Sequence, residues 1–192
     1  MRVISGQAKG HRLKVPKGRA VRPTAARVKE ALFNILPHDL SGLKILDLFA
    51  GTGSLSAEAL SRGAAEVILV DVSRKAANTI RENLRALGFS HNAKIWIGSV
   101  PKSLRQLSRK GETFDLVFLD PPYEKGWVGK ILEVIGQERL MREAGMVVAE
   151  HSSREEVQER YGVLELHDQR RYGSTVLSFF RLRESADSLT RG

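Results

Sequence analysis

A short apolar run from Ile45 to Phe49 breaks at Gly51-Thr-Gly53. Leu55, Ala59 and Leu60 follow at once with helical spacing. Strand, glycine turn and helix in that order form the opening unit of a nucleotide-binding α/β domain, so the rest of the chain must supply the remaining sheet. The glycines let backbone approach a ligand that a side chain would block, and the helix N-terminus presents unpaired N–H groups.

Two carboxylates narrow the ligand. The next apolar run, Glu66 to Asp71, ends in an acid about 20 residues on, where it can hold ribose hydroxyls. Asp47 lies within the first strand, just ahead of the turn. A dinucleotide would bring its pyrophosphate there, against a like charge. A ligand with an ammonium group is attracted instead. S-adenosylmethionine carries an ammonium, a ribose and an adenine, so Asp47 and Asp71 together favour it over NAD.

The chain has 192 residues, enough for one domain with a substantial core and a small appendage. No apolar run approaches the ~18 residues of a membrane helix, and Met-Arg-Val-Ile-Ser-Gly lacks the apolar region of a secretory signal. The cytosol is the expected location. Cysteine is absent, which excludes disulfides, thiolate metal sites and cysteine nucleophiles. His11 and His38 lack metal-ligand spacing, and no metal is expected.

Charge is distributed unevenly. Residues 1–30 hold nine Lys or Arg against Glu30 alone, a net of +8 out of +9 for the whole chain. A basic arm on a nearly neutral domain points to a polyanionic partner; the bland alternative is a solvated tail. Val3, Ile4, Leu13 and Val15 around Gly6 and Gly10 read as a hairpin. Lys9, Arg12, Lys14, Lys17 and Arg19 suit phosphate contacts, which set affinity more than sequence choice.

Arg22-Pro-Thr24 leads into a helix over 25–36, capped by Thr24 and ended by Pro37. Val28, Leu32, Ile35 and Leu36 form its inward stripe, and Arg27, Glu30 and Asn34 share another face. Strands are then expected at 44–49, 66–71, 94–98, 114–120 and 145–150, with helices at 53–62, 73–87, 102–109 and 127–140. That alternation means a parallel sheet with right-handed crossovers. Runs at 163–169 and 175–182, separated by Arg170-Arg-Tyr-Gly-Ser174, should close as a hairpin. The result is a Rossmann-like α/β fold of seven strands with an antiparallel final pair. Three segments are expected: a basic hairpin and helix over 1–40, the main domain over 41–183, and a frayed tail over 184–192.

The fourth strand ends in Asp120-Pro-Pro-Tyr123. Ligands of open α/β sheets bind outside the carboxyl ends of the strands, so strands one and four bring their loops to one crevice. This turn suits methyl transfer to an exocyclic amine, whose lone pair is delocalised into its ring. Asp120 can accept one amine hydrogen and the Pro121 carbonyl the other, turning the lone pair toward the methyl. Pro121 and Pro122 fix φ, and Tyr123 can stack on the base. Asp120 is an orienting acceptor, free to take the proton after transfer.

The strand-one and strand-four motifs resemble those of methyltransferases acting on amino nitrogens. Arg2-Val-Ile-Ser-Gly6, Arg22-Pro-Thr24 followed by Arg27-Val-Lys-Glu-Ala-Leu-Phe-Asn34, Asp47-Leu-Phe-Ala-Gly-Thr-Gly53, Asp120-Pro-Pro-Tyr123 and Arg171-Tyr-Gly-Ser-Thr175 together resemble the bacterial family that methylates guanine N2 in small-subunit ribosomal RNA. The resemblance spans roughly residues 1 to 183. It implies a seven-stranded methyltransferase fold acting as a monomer on ribosomal RNA within the small subunit or an assembly intermediate. It further implies S-adenosyl-L-methionine held by Asp47, Phe49, Gly51, Gly53, Asp71, Val72, Ser99 and Val100, catalysis by Asp120, Pro121, Pro122 and Tyr123, and RNA contacts from Arg2, Lys9, Arg12, Arg22, Thr24, Arg27 and Arg171. One departure stands out. Similar enzymes carry an acid after strand three to meet the adenine amino group, where this chain has Ser99, a weaker acceptor.

Several residues keep two readings. Thr24 caps a helix or meets RNA, Arg170 and Arg171 clamp RNA or decorate a solvated tip, and Trp127 packs in the core or stacks on RNA. Two rivals to the functional reading are a DNA adenine-N6 methyltransferase, which shares the Asp-Pro-Pro-Tyr turn, and a non-catalytic RNA-binding or ribosome-assembly factor. The first normally needs a target-recognition region, for which this chain has no spare segment.

Overall fold

The computed structural model describes residues 1–15, 23–123 and 125–183, with residues 23–25 described for backbone only. Lys17, Arg19, Arg22, the Thr24 side chain and the 184–192 tail lie outside the described residues. The elements are α1 (Pro23–Ile35), β1 (Lys44–Leu48), α2 (Ser54–Ser61), β2 (Glu66–Asp71), α3 (Arg74–Ala86), β3 (Ala93–Ile97), α4 (Val100–Arg109), β4 (Phe114–Leu119), α5 (Trp127–Gln137), β5 (Met141–Ser152), β6 (Arg160–Tyr161), β7 (Leu164–Tyr172) and β8 (Thr175–Leu182).

The sheet runs β3-β2-β1-β4-β5-β8-β7-β6. Strands β1 to β5 are parallel, and β8, β7 and β6 join antiparallel. The strand order reverses between β1 and β4, where an open α/β sheet forms its ligand crevice. Ile45 to Leu48 are wholly buried, as expected for a central parallel strand covered on both faces. One face packs Val28, Leu32 and Phe33 of α1, Ala57 and Leu60 of α2, and Ile80 and Leu84 of α3 against Ile45, Leu69 and Phe118. The other packs Leu104 and Leu107 of α4 and Ile131 and Ile135 of α5 against Leu46, Val70 and Val117. No helix among the described residues is long and apolar enough to cross a membrane.

Among the described residues the sheet has eight strands where seven were expected. The extra one, β6, is two residues long and pairs with Leu164 and Glu165 across Gly162; an element that short carries no periodic pattern. A Cβ on Gly136 of α5 would lie 1.9 Å from the Tyr161 carbonyl oxygen, so glycine is what lets helix and edge strand meet.

Helix α1 needs two corrections. It opens at Pro23, which suits the first helical position, so Thr24 lies inside the helix and is not its N-cap. Its inward stripe is Val28, Leu32, Phe33 and Leu36, while Ile35 is 41% exposed. Ile35 lies about 100° from Leu36 around the helix, enough to turn it away from the sheet.

The N-terminal arm is part of the core. Val3, Ala8 and Leu13 are buried in the same cluster as Ile45 and Leu60, and Arg2 bridges Arg12 in antiparallel pairing. The arm lies along α2, with Met1 beside Thr52 at one end and Gln7 N–H donating to the Ser61 carbonyl at the other. Gly6 has φ +78, and a Cβ there would fall 1.8 Å from the Ser61 carbonyl oxygen, so only glycine fits.

Candidate active site

The loop after β1 is tightly wound. Phe49 has φ 61, the one non-glycine residue with positive φ among those described. Such a conformation costs of order 1–3 kcal/mol and persists where the surroundings over-determine it. Here they do. Ala50 N–H donates to the Val70 carbonyl at 3.1 Å and Gly53 N–H to the Ala50 carbonyl at 2.8 Å. Gly51 N–H donates to Asp71 Oδ2 at 2.9 Å, and Asn83 Nδ2 donates to the Thr52 carbonyl at 2.9 Å. Gly53, with φ 73, stands at the N-terminus of α2. Next to it, Ser54 Oγ is buried without a hydrogen-bond partner among the described residues. A bent, half-buried loop ending at a helix N-terminus beside an unsatisfied buried hydroxyl suits a polar ligand lying against it.

Asp47 is 2% exposed and accepts a hydrogen bond from Ser56 Oγ at 2.6 Å. Burial pushes its pKa up to about 7; the Ser56 hydrogen bond opposes this and the nearby Asp71 adds to it. Among the described residues no cation pairs with this carboxylate, and a ligand ammonium would provide one. Asp71, at the end of β2, accepts Gly51 N–H through one oxygen and Ser73 N–H at 2.8 Å through the other. It therefore shapes the loop as well as facing the crevice.

Beside Asp71 the surface turns apolar. Val72 is 73% exposed and Ile97, paired with Asp71 across β2 and β3, is 45% exposed. Val100 is buried at the start of α4, and Ser99 is exposed at the N-terminus of that helix with no capping bond from its side chain. Ile97 was not among the residues expected here; its place at the strand end, opposite Asp71, was the available signal.

Across the β1/β4 boundary lies Asp120-Pro-Pro-Tyr123. Asp120 N–H points to the Leu48 carbonyl at 3.4 Å, tying the two loops. Asp120 is exposed, Pro121 buried, Pro122 exposed and Tyr123 half-buried. Trp127 is half-buried against the core, with its ring 6.0 Å from that of Phe49. Phe49 is thus held from behind by packing.

Of the expected RNA contacts, Arg2, Lys9, Arg12 and Arg27 are exposed. Arg2 and Arg12 sit toward the end of the arm nearest Thr52. Lys9 lies in the turn, where its N–H meets the Gly6 carbonyl. Arg171 is exposed with Nε donating to the Gly173 carbonyl, and Arg170 pairs with Asp168 at 2.9 Å. Ser152 pairs with Thr175, so the β7–β8 turn lies at the carboxyl end of β5, on the crevice edge of the sheet.

Two anchoring residues escaped the sequence reading. Glu58, fully buried in α2, accepts Ile4 N–H at 2.7 Å and Ser5 N–H at 3.0 Å, and contacts Lys29 and Arg62 at 3.2 Å each. A lone acid among the small and apolar residues of α2 was the signal. Asn83, also buried, accepts Lys14 N–H and donates to both the Lys14 and the Thr52 carbonyls. One side chain therefore fixes both the arm and the glycine loop.

With this geometry, comparison with known proteins is decisive. The family model described as conserved hypothetical protein 95 matches residues 1–181. The chain belongs to this family. It is 37% identical over 183 residues to "Putative rRNA methyltransferase YlbH" of Bacillus subtilis (strain 168), covering 95% of this chain and 100% of that protein. It is 34% identical over 150 residues to "Ribosomal RNA small subunit methyltransferase D" of Escherichia coli (strain K12), covering 78% and 74%. The solved structure of "Putative methyltransferase yhhF from Escherichia coli" superposes with a TM-score of 0.82 at 29% identity, covering 96% of this chain and 99% of that one. The family match confirms the resemblance read from the motifs, and the superposition shows the methyltransferase fold with its antiparallel C-terminal strands.

Proposed function

We propose that the protein methylates ribosomal RNA with S-adenosylmethionine, at the exocyclic N2 of a guanine in the small subunit. The observation that carries this reading is the Asp-Pro-Pro-Tyr turn set against a strained glycine loop at the sheet's switch point. The named relatives are ribosomal RNA methyltransferases, which favours RNA over a DNA substrate or a purely structural role.

S-adenosylmethionine supplies a methyl group on a sulfonium, a good leaving group. Asp47 holds its ammonium, Asp71 its ribose hydroxyls, and the Gly51–Gly53 backbone gives close approach. Val72, Ile97 and Val100 offer an apolar seat for adenine, with Ser99 as an acceptor at its edge. Asp120 and the Pro121 carbonyl accept hydrogen bonds from the two N2 hydrogens of guanine, Asp120 taking one proton once the nitrogen is methylated, and Tyr123 stacks on the ring. Orientation of this kind is where the rate is gained. Arg2, Lys9, Arg12, Arg22, Thr24, Arg27 and Arg171 contact the RNA, in a cytoplasmic protein acting as a monomer on the subunit or an assembly intermediate. Residues 1–40 would be the RNA-binding extension of the 41–183 catalytic domain. A target base taken from folded RNA has to be extruded, at a few kcal/mol, which favours a looped guanine.

The direct test is transfer of labelled methyl to unmethylated small subunits, free ribosomal RNA and duplex DNA, followed by digestion to nucleosides. N2-methylguanosine from the RNA or particle is expected. N6-methyladenine in DNA would move the assignment to the rival, and cofactor binding without product would leave only the non-catalytic role. RNA affinity should fall with a log–log salt slope of about −1 per phosphate contacted.

Cofactor binding should also depend on pH. The carboxyl of Asp47 rises from 3.8 to about 7 on folding, so it binds its proton more tightly folded than unfolded. Through this group alone, stability declines as pH rises across that window. An ammonium ligand needs the ionised form. Affinity for S-adenosylhomocysteine should therefore be level above about 7 and fall by up to about tenfold per unit below it. Calorimetric titration from pH 5 to 8 checks this, and Asp47→Asn should flatten the profile. A flat profile in the unaltered protein would remove Asp47 from the ammonium site.

A further inference from the structure

The hydroxyl of Tyr123 is held from two strands at the crevice edge of the sheet. It donates to Glu150 Oε1 at 2.5 Å and lies 3.2 Å from Thr175 Oγ1. Glu150 belongs to β5, and Thr175 opens β8. In their antiparallel register Ser152 faces Thr175 and Glu150 faces Leu177, so Glu150 and Thr175 project from the same face of the sheet. Thr175 is 3% exposed, and burial of a hydroxyl demands a partner of this kind.

Stacking on a base needs only the ring, and phenylalanine would stack as well as tyrosine. The hydroxyl therefore answers a different requirement. The prolines fix the backbone end of Tyr123, and Glu150 with Thr175 fixes the far end of its ring. Burial, and then the Glu150 carboxylate, push the phenol's pKa above its ordinary value, so the group stays a donor at every physiological pH. Thr175 also closes the Arg171-Tyr-Gly-Ser-Thr175 motif, whose last residue had no role in the sequence reading. Thr175 directly follows the β7–β8 turn that carries Arg171.

We propose that Glu150 and Thr175 are positioning residues that hold Tyr123 as a fixed platform for the target guanine and join the Asp-Pro-Pro-Tyr turn to the β7–β8 hairpin. This rests on the reading of Tyr123 as the base-stacking residue. Both meet the same hydroxyl, so the part of their effect that runs through Tyr123 must be lost when that hydroxyl is removed.

The experiment is a double-mutant cycle in methyl transfer to ribosomal RNA, with S-adenosylhomocysteine affinity measured on every variant. Tyr123→Phe, Glu150→Ala and Thr175→Val are each expected to lower kcat by up to about tenfold while leaving cofactor affinity unchanged. Glu150→Ala or Thr175→Val added to Tyr123→Phe should lower kcat by much less than the same change does in the unaltered protein. Glu150→Gln, which keeps an acceptor oxygen, should recover most of the loss. Multiplicative losses in the double variants, or an equal fall in cofactor affinity, would overturn the positioning role while leaving the methyltransferase reading intact. An unaltered protein that transfers no methyl to RNA would remove both.

Discussion

Replacing Asp120 by alanine is expected to cut methyl transfer by about 10²-fold or more while cofactor affinity stays close to that of the unaltered protein. The reason is chemical. An N2 amine is a poor nucleophile because its lone pair is shared with the ring, and the two acceptors at Asp120 and Pro121 turn that lone pair toward the incoming methyl. Asp120 is exposed at the crevice edge, and its backbone N–H meets the Leu48 carbonyl. Removing its carboxylate therefore leaves Asp47, Asp71 and the glycine loop in place. Asp120→Asn keeps one acceptor oxygen and should retain more activity than alanine. The measurement is single-turnover transfer to ribosomal RNA beside S-adenosylhomocysteine binding. A fall confined to kcat identifies an interaction made in the transition state, whereas near-normal turnover would remove Asp120 from the reaction.

The parts of this site that a sequence displays are those set by local rules. Ile45 to Phe49 followed by Gly51 and Gly53 is a strand and a turn wherever it occurs, because burial on both faces and positive φ constrain residue type directly. Asp120-Pro-Pro-Tyr123 is legible for the same reason. What stayed hidden depends on partners far along the chain. Glu58 meets Ile4 and Ser5, more than fifty residues away, and Asn83 meets Lys14 across a similar gap. Periodicity says which face of a helix is buried, not what is buried against it. Ile35 shows the limit from the other side: it is apolar and next to Leu36, yet exposed, while Phe33 takes the inward place. The Tyr123 hydroxyl likewise finds its partners on β5 and β8, which no local pattern announces. The basic arm was read from its charge and its alternating apolar residues as a hairpin on a nearly neutral domain, but Val3, Ala8 and Leu13 are buried in the core cluster of the sheet.

That arm supplies the second large effect: Glu58→Ala should destabilise the protein by about 3–5 kcal/mol. Glu58 is fully buried and faces Lys29 and Arg62, which are 5% and 7% exposed. Burial outweighs the attraction of Glu58 and holds the pKa of Lys29 below its ordinary value. Desolvation is therefore already the larger influence on this lysine, and without the carboxylate two cations would remain in an apolar setting with no counter-charge. The backbone N–H groups of Ile4 and Ser5 would lose their acceptor as well. Arg62 is further fixed by its bond to the Phe33 carbonyl at 2.9 Å and by the Phe33 ring, so it cannot simply swing into water. For a chain of this length the melting temperature should drop by about 10 °C, read by calorimetry or urea unfolding. Combining Glu58→Leu with Lys29→Met and Arg62→Met should restore much of the loss, because a buried ion cluster is often replaceable by apolar groups of similar volume. A loss below about 1 kcal/mol for the single alanine variant would mean that water reaches the two cations, and that Glu58 is not what fastens the arm to α2.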